Sequence, residues 1–389
     1  MRIAIDYTAA IRQGAGVGTY VRNLVAAMLA QDSRDQFTLL TSGRPIRERP
    51  FPIADNVHGR SIFVPDRYLN ILWYRWQIPI SATLFSGPAD IYHGPDFVLP
   101  PLGKQVRKVV TIHDLAFIEH PEYAVPELAA YLKKVVPASV AAADVVTTVS
   151  EETSRTLIEH FQTPREKLVV VPNGVAPHFR RITDPVILGA TQHKFGLKRP
   201  LVLGVGTLEP RKNHLGLIKA FHQAQKKKKG PAMLAIAGGQ GWLYEETLKL
   251  VEELKLEKKV RFLGRVSDLE LVTLYSLADV FAFPSFSEGF GIPPLEAMAC
   301  GAPTITSNVS SLPEVVGDAA LLVNPHLVDE LADAITRLLE NETLCEQLRQ
   351  KGYQRAQEFS WEASARKMLA IYHKLYAKKA NVAYEVITQ

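Results

Sequence analysis

Short apolar runs, each followed by a longer amphipathic stretch, recur down the whole chain, and this alternation constrains the fold more than any single residue does. A chain patterned in this way builds parallel strands covered by helices. In the first half the predicted strands are Ile3 to Asp6, Phe37 to Thr41, Ile91 to His93, Lys108 to Ile112, Val145 to Val149 and Leu168 to Val171. Helical segments such as Gly18 to Ala30, Pro126 to Ala142 and Glu151 to Phe161 lie between them. A second series starts at Leu201 and continues through Met233 to Ala237, Val260 to Leu263, Val280 to Phe283, Thr304 to Thr306 and Ala320 to Val323. A chain of 389 residues also exceeds what one core usually supports. The fold class is therefore α/β, with two Rossmann-like, doubly wound domains at residues 1–175 and 200–359. Residues 176–199 are polar, contain proline and are weakly periodic, which reads as the hinge between them. Two such domains on one hinge make a cleft between sheet edges. The helical run from Ser360 to Lys378, within the last segment 360–389, has a second sheet already complete behind it and is expected to return to the first domain.

Composition narrows the function classes. Hydrophobic content of 47% with 22% charged residues is ordinary for a soluble enzyme. The net charge of +5 favours anionic ligands or lipid surfaces only mildly. The lysine run Lys226 to Lys229 reads as a solvated helix end favoured by the dipole, and nothing near it has the pattern of a nucleic-acid reader. Cys300 and Cys345 are the chain's two cysteines, so neither a disulfide framework nor a thiolate metal site is expected. No apolar run spans a bilayer, and the chain opens on a strand with no apolar leader. A cytoplasmic placement follows, with any membrane contact peripheral.

Glu288-Gly-Phe-Gly-Ile-Pro-Pro-Leu-Glu296-Ala-Met-Ala-Cys-Gly301 concentrates the candidate chemistry. Pro293 and Pro294 suit a first helical turn and Gly301 a C-terminal cap. The helix then starts at the C-terminal edge of a strand, where free N–H groups favour a diphosphate. Gly289 and Gly291 permit close approach of the backbone. Glu288 and Glu296 suit hydroxyl donors such as vicinal sugar diols, one reading a sugar and the other a ribose. A capped helix with two solvated glutamates is the competing reading.

Gly206-Thr-Leu-Glu209-Pro-Arg211-Lys212-Asn213 follows the first strand of the second domain, and its two cations precede a helix start. They either hold a diphosphate or are solvated. In the first domain, Gly14-Ala-Gly16-Val-Gly18 departs from the dinucleotide fingerprint in spacing, which argues against a nicotinamide site. It is either a phosphate-approaching loop or a tight turn. His113-Asp114 and His93 end strands at a ligand-facing edge, so two imidazoles facing one cleft are expected. His113 either meets a sugar hydroxyl or forms a structural pair with Asp114. A metal would need a third ligand that the sequence does not supply, so none is expected. The stretch 60–85, with Phe63, Tyr68, Trp73 and Trp76 beside Arg67 and Arg75, suits either an anionic lipid interface or a core helix.

Gly16-Val-Gly18, His113-Asp114, Pro172-Asn-Gly174, Glu209 to Asn213, Phe262-Leu-Gly-Arg-Val266 and Glu288 to Glu296 together resemble the retaining nucleotide-sugar glycosyltransferases of the GT-B fold, family 4. The resemblance spans nearly the whole chain and is most specific in the E-x7-E block. It implies that Glu288 contacts the donor sugar, with Phe290, Gly291 and Ile292 offering N–H groups nearby, and that Glu296 holds the ribose. Arg211 and Lys212 would bind the diphosphate, Val266 would lie against the base, and Gly206, Thr207 and Leu295 would complete the donor site. Gly16 and Gly18 would approach the phosphates, and His113 would sit beside the transferred sugar. Many relatives carry Arg where this chain has Thr207, so Arg211 is expected to take over that charge.

The implied chemistry stabilises a departing nucleoside diphosphate electrostatically, with no metal or other cofactor in that role. No carboxylate nucleophile stands out, which favours same-face substitution. The motif forms are similar to those of bacterial mannosyltransferases of surface polysaccharide assembly. GDP-mannose is the first expectation for the donor and a UDP-sugar the second, with a glycan or polyprenyl-linked acceptor in the first domain. A nucleotide-sugar epimerase, an oxidoreductase and a non-catalytic nucleotide binder are the alternatives.

Overall fold

A computed structural model describes the chain except for residues 15, 44–50, 66, 67, 70, 77, 228–231 and 381–389, and the side chains of residues 75, 379 and 380. Arg67, Lys228, Lys229 and the side chain of Arg75, from the basic stretches named above, therefore lie outside what is described. The chain divides into two compact units, Met1–Gly174 with Ser360–Gln389, and Val175–Phe359.

The first unit is built on a seven-stranded sheet: β1 (Arg2–Asp6), β2 (Gln36–Ser42), β3 (Val57–Ile62), β4 (Ile91–Gly94), β5 (Arg107–Ile112), β6 (Val145–Thr148) and β7 (Leu168–Val170). Its order is β3-β2-β1-β4-β5-β6-β7, with every pairing parallel. The strand order reverses between β1 and β4. The second unit repeats the plan with β8 (Leu201–Val205), β9 (Met233–Ala237), β10 (Val260–Gly264), β11 (Val280–Phe283), β12 (Thr304–Ser307) and β13 (Ala320–Val323), in the order β10-β9-β8-β11-β12-β13. Here the reversal falls between β8 and β11. In open sheets of this kind ligands bind where the order reverses, at the C-terminal ends of the strands.

Strands β8 and β11, at the reversal of the second sheet, are apolar along their length, as strands buried on both faces require. Phe281 and Val280 are buried, as are Val202 and Leu203 on the neighbouring β8. Strand β3 escapes the sequence reading because it is an edge strand with most of Val-His-Gly-Arg-Ser-Ile at least partly exposed. A short helix at Thr8–Arg12, likewise unforeseen, fills the span between β1 and the glycine loop.

Residues 176–199 are not a simple hinge. They belong to the second unit and contain the helix Pro185–Phe195, which packs against the helix Asp268–Leu277. Asp184 caps its N-terminus by accepting from the N–H groups of Val186 and Ile187, and Gly196 closes it in the left-handed conformation. The weak periodicity has a physical cause: Thr191 is the sole fully buried position in this helix.

The helix Trp361–Ala380 returns to the first unit and packs along the helix Val17–Gln31. Tyr372 of this helix contacts the Nδ1 atom of His93 at 2.6 Å, and Ser364 donates to the carbonyl of Pro172 at 2.5 Å. Gly174, in the Pro-Asn-Gly turn, is needed for this return: a Cβ there would lie 2.2 Å from the backbone nitrogen of Trp361.

Candidate active site

Arg211, Lys212 and Glu288 meet at the strand reversal of the second unit. The first two sit in a single 3-10 turn, Pro210–Lys212, after β8, and Glu288 lies in the loop after β11. Asn213 locks the two loops together. Its backbone is left-handed at φ 54°, and its side chain donates to the carbonyls of Pro284 at 3.1 Å and Pro325 at 2.8 Å. It also accepts from the N–H of Gly216 at 3.1 Å, fixing the start of the helix His214–Lys227. The cations are thereby held over the reversal point rather than left on a free loop.

Glu288 bridges both cations, accepting from Arg211 Nη1 at 3.0 Å and from Lys212 Nζ at 2.5 Å. Arg211 Nη2 also pairs with Glu209 at 3.1 Å. Two carboxylates thus face two cations in a nearly enclosed site. Burial alone would raise the Glu288 carboxyl, but Arg211 and Lys212 outweigh it and hold it at about 2. Burial, followed by the charge of Arg211, lowers the Lys212 ammonium, while Glu288 and Glu209 oppose that shift. Lys212 Nζ also stands 5.1 Å from the centroid of Phe283. Gly206, at φ 148°, lets the Lys212 stem pass, since a Cβ there would lie 3.3 Å from Lys212 Cγ and Cδ. Thr207 offers its carbonyl to His214 at 3.2 Å.

The loop after β12 grips Glu288 by its backbone. Ser310 Oγ accepts from the Glu288 N–H at 2.9 Å, and the Ser311 hydroxyl shares its one proton between the carbonyls of Glu288 at 2.8 Å and Phe290 at 3.0 Å. Ser310 holds a left-handed φ of 50°, a costly conformation for serine that recurs near functional sites. The helix Ile292–Ala299 follows, headed by Gly291 at φ 107°. Gly301 N–H and Ala302 N–H close it onto the carbonyls of Met298 and Ala297.

Glu296, on that helix, is separate from the ion cluster in its contacts. It is buried and accepts from the Tyr275 hydroxyl at 3.1 Å. Burial pushes its carboxyl up to about 8, against the pull of the Tyr275 hydrogen bond. The Leu295 side chain is 0% exposed in the core, so a donor would meet this residue by its backbone. The Phe290 side chain is likewise buried, against Phe359 at 5.6 Å. Val266 follows β10 and is partly exposed.

The remaining expected residues lie in the first unit. His113 follows β5, with Nε2 2.8 Å from the carbonyl of Pro95 and its ring edge-on to Tyr20 at 4.8 Å. A carbonyl only accepts, so Nε2 carries the proton, burial lowers the imidazole and keeps it neutral, and Nδ1 is an acceptor suited to a hydroxyl. His93 does not face a cleft. It is 1% exposed, with Nδ1 on Tyr372 and Nε2 on Thr111 at 2.8 Å, because β4 is central and buried on both faces. Gly18 serves its own chain: a Cβ there would lie 2.2 Å from the Gln13 carbonyl. Gly16 heads the helix Val17–Gln31 at φ 56° with open space beside it. Sequence reasoning gave no role to Tyr275, Ser310 or Ser311, and named Asn213 only as part of a motif.

The family profile described as "Glycosyl transferases group 1" matches residues 190–355, and that described as "Glycosyltransferase Family 4" matches residues 14–179. O-antigen chain mannosyltransferase B of Escherichia coli is 36% identical over 272 residues, covering 70% of this chain and 71% of that protein. The serotype-specific mannosyltransferase WbdA of Escherichia coli is 32% identical over 227 residues, covering 57% of this chain and 28% of that longer protein. Among solved structures, sucrose-phosphate synthase from Thermosynechococcus elongatus superposes with a TM-score of 0.77 at 22% identity, over 97% of this chain and 100% of its own. The chain belongs to the family 4 glycosyltransferases of the GT-B fold.

Proposed function

We propose that this glycosyltransferase moves a mannosyl group from GDP-mannose, with retention at the anomeric carbon, to a glycan or lipid-linked sugar in surface polysaccharide assembly. The partly buried Arg211–Glu288–Lys212 cluster at the strand reversal carries the reading. Mannosyl transfer and an O-antigen type of acceptor draw their support from the names of the two Escherichia coli relatives. The reading assigns the donor to the second unit and the acceptor to the first.

The ion cluster supplies the chemistry. In the free protein Glu288 neutralises both cations. An arriving diphosphate offers them stronger, multiply charged partners, so Arg211 and Lys212 turn to phosphate and Glu288 is released to accept from sugar hydroxyls. As the glycosidic bond breaks, charge grows on the departing diphosphate, and the same two cations stabilise it without reorganisation. No metal is required for that role, and activity in the presence of a chelator is the expected outcome. The departing phosphate takes the acceptor's proton in a same-face substitution. Trapping the sugar covalently on a carboxylate would overturn that step.

A thermal-shift panel of nucleoside diphosphate sugars tests the donor assignment, since a ligand that binds the native state stabilises it by mass action. GDP-mannose is expected to give the largest shift, and a larger shift with a UDP-sugar would reassign the donor. Lys212→Ala is expected to lower turnover by at least about tenfold with the fold intact, because removing one such electrostatic donor typically costs roughly 10² or more. Near-normal steady-state turnover would refute the assignment.

A further inference from the structure

We propose that Tyr275 is a positioning residue for nucleotide recognition: its hydroxyl fixes one carboxylate oxygen of Glu296 so that the other is presented to the ribose hydroxyls. The proposal rests on the reading that Glu296 holds the ribose.

Tyr275 lies near the end of the helix Asp268–Leu277 and is 0% exposed. Its ring stands edge-on to Phe281 at 5.4 Å and lies 6.2 Å from Phe179, so the phenol has one available orientation. The helix is itself anchored by a capping box in which Ser267 and Glu270 satisfy each other's backbone. Tyr275 donates to Glu296 Oε2 at 3.1 Å, and among the described residues no group donates to Oε1. A buried carboxylate with a single fixed donor is costly unless its second oxygen has a partner, and a hydroxylated ligand supplies one. Burial and the neighbouring Glu296 raise the phenol well above its ordinary range, so Tyr275 remains a donor at any working pH. A carboxyl group free at both oxygens would swing between rotamers, whereas a tethered one meets a ribose with its geometry already set.

The test compares full-length wild type with Tyr275→Phe, which keeps the ring and removes the hydroxyl. Calorimetric affinities are measured at pH 8.5, above the value of about 8 below which Glu296 keeps its proton, for GDP and UDP and for their 2′,3′-dideoxy counterparts. Hydrogen bonds to a charged acceptor are worth about tenfold or more in affinity, so wild type is expected to prefer the ribonucleotide by at least roughly that factor. In Tyr275→Phe the preference is expected to fall to within about threefold while affinity for the dideoxy nucleotide is unchanged, as removal of one such bond implies. A variant that keeps the wild-type preference overturns the role of Tyr275 and leaves Glu296 in place. Wild type without any preference overturns the ribose reading of Glu296, and this proposal with it. Should Tyr275→Phe fail to fold, Tyr275→Met, an adaptable apolar replacement, is judged by the same two results.

Discussion

At the scale of single residues, Glu288 and Glu296 show how environment separates two identical side chains. The charges of Arg211 and Lys212 hold one near 2 in spite of burial, and burial lifts the other to about 8. Their effects on stability have opposite signs. Glu288, depressed in the folded state, contributes stability above its ordinary range near 4.5 that is lost as pH falls toward 2. Glu296, raised in the folded state, binds its proton more tightly there than in the unfolded chain, so its contribution declines as pH rises from about 4.5 to about 8. Glu296→Gln is therefore expected to raise the melting temperature relative to wild type more at pH 8.5 than at pH 5. An equal difference at both pH values would contradict a protonated Glu296. Gly206→Ala belongs to the same scale. At φ 148° and 3.3 Å from the Lys212 stem, a methyl group displaces the ammonium, and nucleotide affinity is expected to fall by about tenfold, the equivalent of one lost charged hydrogen bond. Affinity equal to wild type by calorimetry would mean that Lys212 does not bind the ligand.

At the scale of elements, the central strands were readable because a parallel sheet buried on both faces demands continuous apolar runs, as in Val280–Phe283 and Leu201–Val205. Edge strand β3 lacks that demand, and its polar residues hid it. The helix Pro185–Phe195 carried readable caps in Asp184 and Gly196, yet its exposed surface gave no amphipathic pattern. Arg211, Lys212 and Glu288 were recognisable by motif, since each lies in a loop whose sequence is itself distinctive. Tyr275 was not: it sits 21 residues before Glu296 on a different helix, and their hydrogen bond exists only once the two helices pack. The serine clamp was hidden for the same reason. Ser311→Ala removes the hydroxyl proton shared between the Glu288 and Phe290 carbonyls of the loop that carries Glu288. It is expected to lower kcat more than a melting temperature would imply, and kinetics paired with thermal unfolding separates the two.

At the scale of the molecule, each unit has its own doubly wound core, and the first is completed by a helix from the far end of the chain. Tyr372 ties that helix to His93, whose low value of about 3, caused by burial, keeps it neutral. Tyr372→Phe leaves a buried imidazole nitrogen unsatisfied and is expected to destabilise the first unit by about 1–3 kcal/mol. Hydrogen exchange resolved by unit is expected to show faster opening in Met1–Gly174 and unchanged protection in Val175–Phe359. The second unit carries the central claim, that Arg211 and Lys212 exchange Glu288 for a diphosphate. The most direct measurement is a crystal structure of the wild-type chain with a bound nucleoside diphosphate sugar. Phosphate oxygens are expected within hydrogen-bond distance of Arg211 and Lys212, with the Glu288 carboxylate turned to the sugar hydroxyls. A diphosphate bound elsewhere, with the Arg211–Glu288–Lys212 cluster undisturbed, would contradict it.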